Sequence, residues 1–157
     1  MNTEILLIIE QLKEAFEGDP WFGRNAKALL AEVNEQIAFE KPNGQHSILD
    51  LVWHMVTWRE FTISRLKRDE EKDIHYFETN DWRVLDHNDK TLWQQGLQRL
   101  RETQVELIEL LRTQTDDVLN KIVADRQYHF RNLLYGIVQH DIYHLGQIAY
   151  ITKLLRK

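Results

Sequence analysis

The last apolar stretch, residues 131–157, is the feature that most constrains how this chain folds. Its apolar side chains recur every three or four positions, which places them on one side of an α-helix. At about 100° per residue, His144 falls in the centre of that side, with His140 one turn earlier and Asp141 on the same face. The sequence therefore predicts a long helix that turns two imidazoles and a carboxylate towards the core. The periodic apolar residues are Leu134, Ile137, Leu145, Ile148, Ile151 and Leu155.

The four-residue spacing of His140 and His144 is compatible with a metal site. Side chains at positions i and i+4 of a helix lie one above the other, so two imidazoles can reach one ion. The spacing alone is weak evidence, because about 0.3 such pairs are expected by chance at this histidine content. A lone inward-facing histidine is usually a core residue that is satisfied by hydrogen bonds. A third ligand from another helix would favour the metal site.

A third candidate ligand, His54, lies in the second long apolar segment. This segment, residues 47–67, opens with Ser47 and Asp50 at a spacing close to that of a capping box. It is apolar nearly all round, which is typical of a central helix, so we expect His54 to be at least partly buried. Taken alone, a histidine in this place is more often a hydrogen-bonded core residue than a ligand.

The rest of the chain predicts further helices and no β-sheet. Helical periodicity covers residues 3–16, 47–67, 89–114 and 131–156, and a shorter helical piece follows a turn near residue 20. We therefore predict an all-α four-helix bundle with one extra short helix. The length suits a single domain that spans residues 1–157. Any three-stranded sheet would refute this fold.

The sequence also predicts the role or the environment of several single residues. Asn2 or Thr3 is expected to cap the first long helix, and Asn88 the third. His75 and His87 are expected to be exposed, and Trp82 with Val84 and Leu85 to fold back as an apolar patch. Gln104 interrupts an apolar stripe, so it is either the partner of a buried polar group or an unfavourable core residue. Trp21 and Phe22 either line the mouth of a pocket or plug the end of the bundle.

Composition narrows the functional class. The net charge is −5 and no segment is strongly basic, which argues against nucleic acid as the main partner. The absence of cysteine excludes disulfides, thiolate metal ligands and a cysteine nucleophile. The apolar runs predict neither a membrane span nor a secretory signal, so we expect a soluble, cytoplasmic protein. The sequence has no phosphate loop, nucleophile elbow or dinucleotide fingerprint.

Taken together, the histidine motifs resemble those of the DinB/YfiT-like family of metal-dependent enzymes. Residues 47–54, which end at His54, resemble the second-helix motif of that family. Residues 139–148 resemble its last-helix HxxxH-GQ motif, and His54 precedes His140 by 86 positions. The Trp21-Phe22-Gly23 turn and Asp81-Trp82 lie where relatives have similar residues, so the likeness covers nearly the full length. Phe22 is a departure, since several relatives carry histidine in that turn.

The resemblance implies a four-helix bundle with a pocket at one end. In it, His54, His140 and His144 would bind a divalent metal, commonly zinc or nickel. Some relatives transfer low-molecular-weight thiols, such as bacillithiol or mycothiol, to electrophiles, and one branch includes a thiol-dependent isomerase. The resemblance also favours a homodimer, as do the all-round apolar second helix and the 5 tryptophans.

Residues near the candidate ligands have predicted supporting roles. Asp141 or Gln104 is a candidate to orient a ligand imidazole through its second nitrogen, and Gln147 to bond backbone or bound water. Three interpretations remain open at this point. The chain is a metal-dependent thiol S-transferase or a related hydrolase, a non-catalytic protein that binds a metal or small ligand, or a structural helical domain. Because the chain has no cysteine, a thiolate nucleophile would come from a cosubstrate.

Overall fold

The computed structural model describes residues 2–69 and 71–156, and this part of the chain is all-α, as predicted. It has no β-strand, only an isolated antiparallel bridge between Ile122 and His129. Short 3-10 turns lie at Pro42–Gly44 and Asp116–Asn120. None of the described helices is long and apolar enough to cross a bilayer. The α-helices are α1 (Thr3–Glu17), α2 (Ala26–Ala31), α3 (Glu35–Phe39), α4 (Ile48–Lys67), α5 (Ile74–Thr79), α6 (Thr91–Arg112) and α7 (Phe130–Leu155).

The four long helices α1, α4, α6 and α7 begin and end within two residues of the predicted segments. The short helices differ from the prediction, because the described chain has three of them instead of one. The predicted short piece divides into α2 and α3, each capped by an asparagine side chain. The side chain of Asp73 caps α5 by accepting a hydrogen bond from Tyr76 N. Local caps of this kind stabilise single helical turns that periodicity does not detect.

The helix caps follow the prediction at α4 only. Ser47 and Asp50 form the capping box, each side chain accepting a hydrogen bond from the backbone of the other. Asn2 makes no side-chain cap on α1; instead the carboxylate of Asp116 accepts hydrogen bonds from Glu4 N and Ile5 N at 3.3 and 3.0 Å. The prediction for α1 was therefore wrong, because the cap comes from a distant part of the chain.

The start of α6 also differs from the prediction. Asn88 precedes the helix and bonds Asp86, whereas Asp89 accepts a hydrogen bond from the backbone of Thr91, the first residue of α6, at 3.0 Å. Asn88 therefore does not cap α6.

Helix α4 lies at the centre of the bundle, as its apolar pattern predicts. It packs against α6 and α7, and α1 packs against the same two helices. Its buried positions occur all round the helix, so its apolar surface is covered within a single chain. Because α4 and α7 are neighbours, residues on their facing sides meet in the interior.

A buried ion pair joins α4 to α7. Arg59 Nη2 donates to Asp141 Oδ2 at 2.6 Å, and Arg59 Nε donates to the same oxygen at 3.0 Å. Arg59 also donates to Gln104 Oε1 at 2.8 Å, and Gln104 donates to the carbonyl of Leu12 at 3.0 Å. Of the two roles predicted for Gln104, the structure therefore has the partner of a buried polar group. This network links α1, α4, α6 and α7 one residue away from His140.

Candidate metal centre

The packing of α4 against α7 brings His54, His140 and His144 together. His140 Nε2 lies 3.0 Å from His54 Nε2 and 3.1 Å from His144 Nε2. The three potential ligand atoms all lie within 4.8 Å of one another. We call these residues the histidine cluster. His54 and His144 are 6% and 5% exposed, whereas the side chain of His140 is 25% exposed, so His140 is the most accessible of the three.

Asp81 fixes the orientation of His54. The backbone carbonyl of Asp81 lies 2.8 Å from His54 Nδ1, and its carboxylate oxygen Oδ1 lies 3.2 Å from the same nitrogen. The indole of Trp58 donates to that carboxylate at 2.6 Å and holds it in place. Since both oxygens accept, Nδ1 of His54 carries the proton, and the unshared pair of Nε2 faces the other two histidines.

Gln147 fixes the orientation of His144. Its Oε1 lies 2.5 Å from His144 Nδ1, so this nitrogen is the donor and Nε2 again carries the unshared pair. The sequence led us to expect backbone or water as the partner of Gln147. Among the described residues, Nδ1 of His140 and Oδ1 of Asp141 are buried without a hydrogen-bond partner, and they lie 4.0 Å apart. Asp141 and Gln104 were the residues predicted to orient a ligand imidazole. The hydrogen bonds of Asp141 come from Arg59, and those of Gln104 involve Arg59 and Leu12, so neither residue bonds an imidazole of the cluster.

The arrangement of protons in the cluster favours a cation. Two Nε2 atoms direct unshared pairs at His140 Nε2, and the one proton that a neutral His140 can place there satisfies only one of them. A divalent cation between the three nitrogens satisfies all of them at once. Two ligands of one zinc ion can be at most roughly 4.2 Å apart, twice the zinc–nitrogen distance. The two pairs that include His140 meet this limit, and the third pair lies within 4.8 Å. The residues present therefore fit a metal ion.

Burial keeps two of these imidazoles neutral. Desolvation lowers the pKa of His144 to about 4, although the hydrogen bond to Gln147 acts in the opposite direction. Desolvation is also the largest cause of the lowered pKa of His54. Neutral imidazole is the form that binds metals, so burial prepares both side chains for a cation at neutral pH.

These lowered pKa values predict that the metal-free protein loses stability as the pH falls from about 6.5 to about 4. In that window the unfolded imidazoles take up protons while the folded His144 does not, so protons favour unfolding. Urea unfolding at pH 7, 6 and 5 measures the effect. We expect His144→Leu to weaken the pH dependence of the free energy of unfolding, and His75→Ala, at an exposed position, to retain it. A stability that does not change between pH 7 and 5 would contradict the expectation.

An aromatic wall that the sequence did not predict covers the cluster. The indole of Trp82 stacks on the imidazole of His54, with ring centroids 4.0 Å apart and planes within 7°. His46 stacks on Trp82 in turn, with centroids 3.6 Å apart. The sequence indicated an apolar patch at Trp82, Val84 and Leu85, but Val84 is fully exposed, so that part of the prediction was wrong. Trp82 and Leu85 do pack against the core.

Other aromatic residues and histidines also differ from their predicted surroundings. His75 is exposed, as expected, whereas His87 is partly buried and bonds Asp50 at 3.0 Å. Burial alone would raise the pKa of Asp50, but hydrogen bonds from Ser47 and His87 lower it overall. Trp21 is fully exposed and Phe22 is half exposed, so neither plugs the bundle.

Two cavities reach the histidine cluster from opposite directions along α7. The larger, of about 680 Å³, extends from His144 towards the C-terminal end of the helix and is bounded by Trp82 and Tyr150. The smaller, of about 220 Å³, extends from His140 towards the N-terminal end and is bounded by Trp58. We call them the C-terminal cavity and the N-terminal cavity. The cluster therefore lies between two spaces that can hold small molecules.

Four long helices around three convergent histidines define an all-α protein with a candidate metal centre. A sequence model of the DinB superfamily matches residues 22–148, and the chain belongs to that superfamily. The resemblance seen in the histidine motifs is thereby confirmed. No curated protein and no solved structure matches the chain.

Proposed function

We propose that this chain is a metal-dependent thiol S-transferase in which His54, His140 and His144 hold one divalent ion, zinc or nickel. The observation that carries the proposal is the convergence of three Nε2 atoms, two of them with tautomers fixed by Asp81 and Gln147. Three neutral nitrogen ligands are typical of catalytic sites, which keep a position open, whereas structural sites have four protein ligands.

When bound, the ion supplies Lewis acidity, which lowers the pKa of a thiol or water beside it. The residues of the chain position the ligands and limit the access of water. Asp81 and Gln147 hold the imidazoles in place, and the indole of Trp82 shields one face of His54 from water. The sulfur comes from a cosubstrate, because the chain has no cysteine.

The two cavities support a reaction between two molecules. They approach the histidine cluster from opposite ends of α7, so a thiol and an acceptor can reach it without sharing one space. Hydrolysis is the second candidate, favoured by the partial exposure of His140, which gives water access to the cluster. In either case we propose the cytoplasm as the site of action, where thiols stay reduced.

Thiol consumption by the zinc- or nickel-loaded protein tests the proposal. With a chlorodinitrobenzene as acceptor, a carbon–sulfur bond forms as the carbon–chlorine bond breaks. Chloride leaves with the bonding electrons, and the thiol proton passes to solvent. A panel of low-molecular-weight thiols that includes cysteine and bacillithiol should react faster with the loaded protein than without it. A chelator should abolish the difference, His54→Ala should lack it, and His75→Ala should retain it.

Two outcomes separate the alternatives. Stoichiometric metal binding with thiol consumption at the uncatalysed rate would indicate a non-catalytic binding protein. Acceptor hydrolysis that depends on the metal and needs no thiol would indicate the hydrolase.

The predicted homodimer stays a prediction. One reason to predict a dimer was the apolar surface of α4. That surface is buried within one chain, so it is not available to a second copy. Light scattering across micromolar concentrations measures the mass directly.

A further inference from the structure

We propose that the C-terminal cavity binds an uncharged, ring-bearing apolar molecule, and that Gly146 provides the room for it. The proposal rests on the proposed function only in making this molecule the acceptor of the transfer. The binding itself follows from the cavity.

The cavity wall is aromatic and aliphatic. Tyr143, Tyr150 and Leu154 are 66%, 69% and 53% exposed, and they follow one another along the same side of α7. Trp82 also lines the cavity, where it stacks on His54 of the histidine cluster. Large apolar side chains that lie in the open around a concave space are typical of a ligand site.

The charge of the wall limits the ligand. Among the described residues that line the cavity there is no lysine, arginine, aspartate or glutamate. Its polar groups are side-chain amides, such as that of Gln147, together with imidazoles and tyrosine hydroxyls. In the metal-free protein, a charged ligand that entered the cavity would lose hydration without gaining a counter-ion, which is unfavourable. The wall therefore favours an uncharged molecule.

Gly146 is not explained by the packing of the helix. It lies inside α7, where glycine is less favourable than alanine by about 1 kcal/mol. A Cβ added at Gly146 would meet nothing within 4 Å, so no neighbouring side chain requires glycine there. What lies in front of Gly146 is the cavity. A side chain at this position would occupy the space that a ligand ring needs.

The volume and position of the cavity favour a small molecule over a protein partner. About 680 Å³ lies within the range of small-molecule sites, roughly 300–1,000 Å³. The cavity also ends at His144, one of the candidate metal ligands, where a reacting group would have to lie.

Gly136 offers a matched control for the test. It also lies inside α7, lines the N-terminal cavity, and has nothing within 4 Å of an added Cβ. Gly146→Leu and Gly136→Leu therefore make the same change in the same helix on opposite sides of the histidine cluster.

Calorimetric titration of the metal-free protein, in which no cation at the cluster adds charge to the cavity, with naphthalenemethanol and with naphthalenesulfonate, which is permanently charged, tests the proposal. We expect the neutral probe to bind the wild-type protein at least about tenfold more tightly than the sulfonate. Gly146→Leu should lower the affinity for the neutral probe by about tenfold or more, whereas Gly136→Leu should change that affinity by less than about twofold. Circular dichroism checks that each variant is folded, and a separate zinc titration checks that its histidine cluster is intact.

A second variant keeps the test decisive if Gly146→Leu does not fold. Tyr150→Arg, at an exposed position on the rim, should shift the preference towards the sulfonate.

Equal binding of the two probes to the wild-type protein, or equal weakening by both leucine variants, would overturn the proposal. Binding of the probe without any thiol transfer would overturn the proposed function and leave this site standing. Thiol transfer without saturable binding of the probe would overturn this binding site and leave the proposed function standing.

Discussion

Replacing His144 by alanine is expected to abolish stoichiometric zinc or nickel binding and to leave the helical content unchanged. The variant removes one of three nitrogens that lie within 4.8 Å of one another, so the remaining two no longer enclose an ion. The affinity should fall by at least about 100-fold, since losing a supporting residue alone costs about 10- to 100-fold. Titration with a competing chelator measures the affinity, and circular dichroism measures the helicity.

Helix α7 should survive this change because its other apolar residues stay in the core. Leu145 and Ile148, which follow the substituted position in the helix, are both buried. The control is His75→Ala, which removes an exposed imidazole and should leave the affinity unchanged. Unaltered binding by His144→Ala would mean that the ion, if bound, is held elsewhere.

Replacing Asp141 by alanine is expected to destabilise the metal-free protein by about 3–5 kcal/mol. Arg59 would stay buried in the core with no anionic partner, and Gln104 would remain as its polar contact. Urea unfolding of the metal-free protein measures the loss without a contribution from metal binding. Glu109→Ala breaks the surface pair with Arg112 and should cost no more than about 1 kcal/mol.

A double variant tests whether the loss comes from the unpaired charge. Arg59→Met with Asp141→Leu replaces the whole pair by apolar side chains of similar size, which is commonly neutral or stabilising. We therefore expect the double variant to recover part of the stability that Asp141→Ala loses, with the remainder lost because buried Gln104 Oε1 no longer has Arg59 as its donor. A loss below about 1 kcal/mol in Asp141→Ala would show that the pair contributes little to the bundle.

The sequence predicted the fold through periodicity. The four long helices carry regular apolar patterns, and those patterns persist in the structure because each helix buries one side, or in α4 all sides. The short helices and the cap of α1 were missed for a different reason. They depend on one or two hydrogen bonds to a side chain, and the one that Ile5 N donates to Asp116 joins positions 111 residues apart.

The candidate site was predicted where its residues share a helix or a motif. His140 and His144 are recognised by their spacing, and His54 by the motif around it. The orientation of His54 was not predictable, because a backbone carbonyl of Asp81 accepts its proton, and any residue has such a carbonyl. The partner of Asp141 was not found either. A signal was present, since Arg59 lies in a helix that is apolar nearly all round, and a charge buried there needs a partner.

The central claim is that His54, His140 and His144 share one divalent cation, and anomalous scattering tests it most directly. Crystals of protein purified without an affinity tag and loaded with zinc or nickel would be measured on both sides of the absorption edge of that metal. We expect one strong anomalous peak per chain, about 2.0–2.1 Å from the Nε2 atom of each histidine if the metal is zinc. Three imidazoles that turn to separate partners, with no anomalous peak between them, would contradict the account and leave the cluster as part of the core.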